Sequence, residues 1–224
     1  MNPTMNTTKA EETRGRILSA ALELFRERGF EQTTMREVAR EAGVALGSAY
    51  YYFESKETIV MTFYHQAQDA MIALIEEALP KQKSLKARLR TILDVKFQYF
   101  EPNRKFLGAL LGHTADPRNP LSPFSEETRD IRDKDAAQFA KAVEGSGAKV
   151  PDDLKQHLPN LLWMFQMGLI LFWMYDRSPG QKRTAVLVDK SLDLVVSLIK
   201  FSGLPLMKPV RRTVLDVVRA VSGD

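Results

Sequence analysis

The sequence predicts an all-α protein, and three observations carry that expectation. Apolar residues recur at helical spacing along most of the 224 residues, as in Ile59, Phe63, Ala67, Met71, Leu74 and Ala78. The periodic stretches end at glycine or proline: Gly29, Gly43, Pro80, the run D-P-R-N-P-L-S-P from Asp116 to Pro123, and Gly145 to Gly147. The period-two alternation of a half-buried strand is missing, and no segment repeats elsewhere in the chain.

The first helix is expected over about Thr8 to Arg28. Thr8 and Glu11 can form a capping box, Ile17, Ala21, Leu24 and Phe25 give a buried stripe, and Gly29 ends it. The second helix starts at Met35. Thr34 with Glu37 three residues on is a capping box, and Met35, Val38, Ala39 and Ala42 repeat at helical spacing. Gly43, lacking a Cβ, can turn the chain sharply there. A third helix, about Ala45 to Phe53, follows at once. Two short helices joined by a glycine-containing turn read as a helix-turn-helix, whose second helix enters the DNA major groove.

At roughly 100° per residue, placing Ala49 on the core side puts Phe53 beside it, with Ala45 and Tyr52 on the flanks. Gly47, Ser48, Tyr50 and Tyr51 then point largely away. A glycine admits close approach, and hydroxyl groups donate to phosphate oxygens, so this face suits a phosphodiester surface. Aromatic core packing is the alternative for the tyrosines, most of all for Tyr52.

The stretch A-G-V-A-L-G-S-A-Y-Y-Y-F-E-S-K-E, with the capping box before it, resembles the signature of the TetR (tetracycline-repressor-like) family of one-component transcriptional regulators. The resemblance runs over about Thr13 to Tyr64. Beyond it, only length and helical character match. It implies a DNA-binding domain over residues 1–54 and a helical effector-binding and dimerisation domain over residues 55–224. On it, Thr34, Arg36, Leu46, Gly47, Ser48, Tyr50, Tyr51, Tyr52 and Lys56 are the expected DNA contacts. Two positions depart from the commoner pattern. Ala45 stands where a capping hydroxyl is frequent. Leu46 stands where a polar residue is frequent, which suits an apolar contact to a thymine methyl.

Charge adds little. The net charge of +4 leans weakly towards an acidic partner, yet Lys9 to Glu57 holds eight basic and nine acidic residues. Placement of Arg14, Arg16, Arg36 and Lys56 on one face has to supply the positive field instead.

After Ser55, a capping residue, a helix runs from Lys56 to Leu79 without Gly or Pro, a rod of roughly 35 Å. The resemblance gives it the task of carrying motion between domains. Ser84 to Phe100 is amphipathic, and Pro102 restarts a short helix through Phe106, Leu107, Leu110 and Leu111. Phe124 to Val143 reads as a charged, mostly exposed helix. Leu161 to Tyr175 is the most apolar run, fifteen residues with Gln166 inside it, short of the ~20 needed to cross a bilayer. No membrane partner is expected. A helix buried on nearly every face fits better, one face inward and one against a second subunit. With the next helix, about Gly180 to Phe201, it suggests an isologous dimer through Phe172, Leu187, Leu194, Val195 and Leu198. The last helix, about Lys208 to Val221, reads as a solvated amphipathic cover.

The aromatic and sulfur-containing side chains of the second domain make a lipophilic pocket for a small-molecule effector plausible. Phe97, Phe100, Phe106, Leu110, His113, Trp163 and Met167 are its expected lining. Catalysis is not expected. Cysteine is absent, and His65, His113 and His157 are far apart. Phosphate-loop, dinucleotide and nucleophile-elbow patterns are missing. No cofactor or metal is expected. Met1 to Lys9 lacks the apolar run of a secretory leader, so a cytoplasmic location is expected. The reading is thus a dimeric repressor of a palindromic double-stranded DNA operator, released by its effector. The alternative is a helical ligand-sequestering or protein-interaction module without DNA binding, which the near-neutral first domain leaves open.

Overall fold

The computed structural model describes residues 3–114 and 116–222. Among them the elements are α1 (Pro3–Arg28), α2 (Met35–Glu41), α3 (Leu46–Tyr52), α4 (Lys56–Ala78), α5 (Leu85–Phe100), α6 (Arg104–His113), α7 (Arg129–Glu144), α8 (Asp152–Lys155), α9 (Leu158–Tyr175), α10 (Lys182–Phe201) and α11 (Lys208–Ser222), with no strand. The chain divides into two compact units, Met1–Gln68 with Pro102–Arg129, and Asp69–Glu101 with Asp130–Asp224. These compact units do not coincide with a division between residues 54 and 55. The boundary falls inside α4, and α6 belongs with the first unit because its apolar face completes that unit's core. Phe106 is buried and stacks on Phe25, with ring centroids 5.4 Å apart.

In the first unit, α1 starts upstream of the expected point, at Pro3, and the side chain of Thr8 lies outside the described residues. Its inward stripe is the expected one: Ile17, Ala21, Leu24 and Phe25 are buried. From Asp116 to Thr128 the chain forms turns and bends, and α7 begins at Arg129 instead of Phe124. Buried hydroxyls account for the difference. Thr128 Oγ1 donates to the Ser122 carbonyl at 2.7 Å and Ser125 Oγ to the Pro120 carbonyl at 3.1 Å. Such local bonds offer the backbone an alternative to a helix.

The second unit is built on Leu89, Ile92, Leu93, Phe139 and Leu192, all buried. Here α7 is not the mostly exposed helix expected from its charges, since Asp135, Ala136, Gln138, Phe139, Ala142 and Val143 are buried. Polar side chains are buried among these helices as well. Arg88 donates to the carbonyls of Leu79, Gln82, Lys141 and Ala142, joining the turn after α4 to the end of α7. Lys96 Nζ lies 2.6 and 2.7 Å from the two carboxylate oxygens of Asp135, to which Gln166 Nε2 also donates at 3.2 Å. Gln166 thus ties α9 into the core. Helix α9 is long and apolar enough to cross a membrane by length and composition, yet one stripe of it is core: Leu162, Trp163, Leu169, Ile170 and Trp173. Met164, Leu171, Phe172 and Tyr175 form a second, exposed stripe, so the helix is not buried all round within this chain.

Candidate nucleic-acid interface and effector region

Helix α2 begins as its sequence dictates. Glu37 N–H donates to Thr34 Oγ1 at 3.3 Å, and the Thr34 backbone N–H donates to Glu37 Oε2 at 2.9 Å, closing both halves of the capping box. The Thr34 backbone N–H, and after it the Thr34 hydroxyl, which also donates to Glu37 Oε2 at 2.9 Å, hold the Glu37 carboxyl below its usual range, and Arg28 pairs with it at 3.1 Å. A local negative charge next to the recognition helix is thereby compensated inside the unit. Gly43 takes φ 64°, a backbone that residues with a Cβ adopt reluctantly, and the chain turns directly into α3. The start of α3 has no side-chain cap at Ala45, as expected.

The orientation of α3 follows the angular reading. Ala49 and Phe53 are fully buried, Tyr52 and Ser48 are half-buried, and Leu46, Gly47, Tyr50 and Tyr51 are exposed. Ala45, expected on a flank of the core, is exposed because it precedes the first turn. Tyr51 is 83% exposed and meets Tyr52 edge-on at 5.2 Å between centroids. Thr34, Arg36, Leu46 and Tyr50 come together, with Met35, around one shallow cleft between α2 and α3. Gly47 is informative in a different way. A Cβ there would meet nothing within 4 Å, so the fold itself has no need of glycine at an exposed helix position.

Two of the expected cations have work inside the unit. Lys56 Nζ donates to the Phe30 carbonyl at 2.6 Å and lies 4.4 Å from the centre of the Phe30 ring. It braces the turn between α1 and α2 and does not simply extend outward. Arg14 donates to Thr62 Oγ1 at 3.1 Å and covers the Phe53 ring at 4.9 Å. Arg36 is exposed on the cleft.

The residues expected to line an effector pocket fall in both units. Phe106 and Leu110 are buried core of the first unit, and the side chain of His113 lies outside the described residues. In the second unit Phe97 stacks on Trp173 at 5.2 Å, Trp163 is buried, and Phe100 and Met167 are half-buried. An apolar cavity of about 240 Å³ lies elsewhere in that unit, between α8, α9, α10 and α11. None of the seven expected residues lines it, whereas Val195 and Leu198, expected in the dimer interface, do. Sequence reading missed it because α11 looked like a solvated cover. The signal was the pair Val210 and Val214, one turn apart on that helix.

The residues expected in a dimer surface divide by exposure. Phe172, Leu194 and Leu198 are exposed, and they continue a stripe with Val186 and Phe201 on α10. Leu187 and Val195 are half-buried and turn towards their own unit.

Residues 17–61 match the family described as bacterial regulatory proteins, tetR family, and residues 88–219 match the tetracyclin repressor-like C-terminal domain. Over 153 residues the chain is 32% identical to the HTH-type transcriptional regulator RutR of Escherichia coli (strain K12), covering 66% of this chain and 68% of that one. It is 31% identical over 81 residues to the fatty acid metabolism regulator protein of Bacillus subtilis (strain 168), a match spanning 36% of this chain and 42% of the relative. In fold it is similar to the transcriptional regulator FadR from Bacillus subtilis in complex with stearoyl-CoA. That likeness has a TM-score of 0.61 at 20% identity over 81% of this chain and 97% of that chain.

Proposed function

Because this chain belongs to the TetR family of bacterial transcriptional regulators, we propose that the α2–α3 face reads operator DNA and that a lipophilic molecule held in the second unit releases it. The protein is a ligand-responsive, DNA-binding repressor that acts as a dimer. Two copies of α3 then meet two half-sites of a palindrome, one on each side of the two-fold axis. The observation that carries the reading of the face is its composition: an exposed glycine with free space above it, the exposed phenol of Tyr51, and Tyr50 with Arg36 around one cleft. Tyr50, Tyr51, Ser48 and Thr34 donate to or pack on phosphates, Leu46 meets a base methyl, and Arg36 supplies charge. Lys56 and half-buried Tyr52 act from behind, by holding the turn and the helix in place.

The effector class follows from two supports. The second unit carries an apolar cavity, and a FadR regulator of the same fold holds an acyl-CoA. Effector in that unit reaches the DNA-binding face through α4, which runs unbroken from Lys56 to Ala78 and belongs to both units. A coupling of ~1–3 kcal/mol between ligand and operator is the usual size for such opposition. The protein works in the cytoplasm, by binding and not by catalysis.

Salt-dependent operator binding tests this reading. Arg36→Ala is expected to weaken binding to all sequences alike and to reduce the slope of log K against log salt by about one unit. Unchanged affinity and slope in a folded Arg36→Ala protein would remove this face from the DNA.

A further inference from the structure

We infer that α3 recognises its half-site by the 5-methyl group of a pyrimidine seated against Leu46, so that operator binding responds to methylation of cytosine at C5. The inference rests on the reading of α3 as the helix that meets DNA, and adds which feature of the bases it reads. A recognition helix in the major groove contacts base edges with its N-terminal residues. Bases are read there by Arg or Lys on guanine, Asn or Gln on adenine, and Asp or Glu accepting from cytosine. None of these side chains stands on α3, whose residues are Leu46, Gly47, Ser48, Ala49 and the three tyrosines. The hydroxyl groups of Ser48, Tyr50 and Tyr51 donate single bonds to phosphates or to base acceptors, and so choose weakly among bases.

Leu46 is different in kind. It is the first residue of the helix, is 36% exposed, and carries no polar side-chain atom. Ala49, the other aliphatic residue of α3, is fully buried, so Leu46 is the aliphatic contact that this helix offers to a base. It stands at the cleft that Arg36 and Tyr50 also line, and the exposed methyl of Ala45 precedes it. In the major groove the apolar feature of a base pair is the C5-methyl of thymine. A leucine reads that methyl and nothing beside it, since it neither accepts from the cytosine amino group nor donates to thymine O4. To Leu46, 5-methylcytosine therefore presents the same surface as thymine, and unmethylated cytosine does not. Taking one methyl group out of water is worth about 0.8 kcal/mol, a factor of about four in affinity at one half-site. The same contact made twice across a palindrome gives about fifteenfold.

A cycle of protein and DNA variants tests the inference. The probe is a palindromic duplex selected from random-sequence DNA by the full-length wild-type protein. Each thymine of the half-site is replaced in turn, symmetrically, by deoxyuridine, which keeps every hydrogen bond and deletes only the methyl. At one position the affinity is expected to fall by about fifteenfold. Cytosine placed there should bind weakly, and 5-methylcytosine should restore a similar factor over cytosine. Leu46→Ala, at an exposed position, is expected to fold as wild type in thermal melts and to bind the thymine and deoxyuridine duplexes about equally. That interaction between the two changes is a readout that a merely structural role for Leu46 would not move. The ratio should also persist from about 50 to 200 mM salt, because a methyl contact releases no counterion. A half-site indifferent to deoxyuridine at every thymine would overturn the methyl reading and leave operator binding standing. A thymine preference that survives in Leu46→Ala would overturn it too, assigning the preference to another residue or to the stiffness of the DNA. Selection of no duplex at all would overturn the DNA-binding reading and this inference with it.

Discussion

Gly47 and Tyr51 make opposite demands on the recognition helix, and that contrast can be measured. Glycine within a helix costs roughly 0.5–1 kcal/mol relative to alanine, and nothing in the fold crowds the missing Cβ. Gly47→Ala should therefore raise stability by about that amount while weakening operator binding, because the added methyl meets the approaching backbone. Tyr51→Phe deletes one exposed hydroxyl. Losing a charge-assisted bond should cost roughly 1.5–3 kcal/mol of DNA affinity with little change in Tm. Denaturant melts and operator titrations on the two variants check both signs, and tighter DNA binding by Gly47→Ala would sink the argument. At this scale the sequence was readable wherever the cause was local. Thr34 and Glu37 are three residues apart, and the inward turn of Ala49 and Phe53 follows from helical angle. Lys56 was not readable, because its partner, the Phe30 carbonyl, lies in a turn 26 residues away.

At the scale of elements, the three helices α5, α7 and α9 meet on a buried charge pair. The side chains of Lys96 and Asp135 are 3% and 9% exposed, so each depends on the other. Lys96→Met alone takes the cation from a buried carboxylate and should cost ~3–5 kcal/mol, whereas adding Asp135→Leu should recover part of that loss, the rest remaining with the Gln166 amide that then loses its acceptor. Urea titrations of single and double variants decide it, and equal losses in both would show that the pair contributes packing only. A second buried carboxylate, Asp176, caps α10. Burial pushes its pKa up, but donors from Ser178 and from the Thr184 backbone and hydroxyl outweigh this and hold it well below the usual range. The folded pKa is the depressed one. Its contribution is thus fully present above the unfolded value of about 3.9 and is lost as pH falls through the folded value. Asp176→Asn should lower stability at pH 7 and flatten its fall below pH 4. Parallel stability curves for variant and wild type would remove Asp176 from the acid limb. Helix positions were legible from periodicity, capping residues and breakers. The buried face of α7 was not, since Asp135 looks solvated until Lys96 and Gln166, 39 and 31 residues distant, are seen to partner it.

For the whole molecule, the exposed apolar stripes of α9 and α10 are what one chain leaves uncovered. Periodicity could reveal that these helices carry more apolar surface than one unit buries. It could not assign each residue to the inner or outer side. Leu194 and Val195 are neighbours in sequence, yet Leu194 is 60% exposed while Val195 packs on its own core and lines the cavity. Asp at Val195 would injure the fold of the single chain. Asp at Leu194 places a charge on surface that is wet in the monomer and dry in a four-helix dimer, where an unpaired charge is costly. Leu194→Asp should therefore give folded monomers, with helicity unchanged and sedimentation at half the wild-type mass. Operator affinity should fall by more than any single contact explains, because the second half-site contact becomes intermolecular and loses its effective concentration, an advantage of order 10²–10⁴. A Leu194→Asp protein that stays dimeric would place the two-fold interface on another face of the second unit.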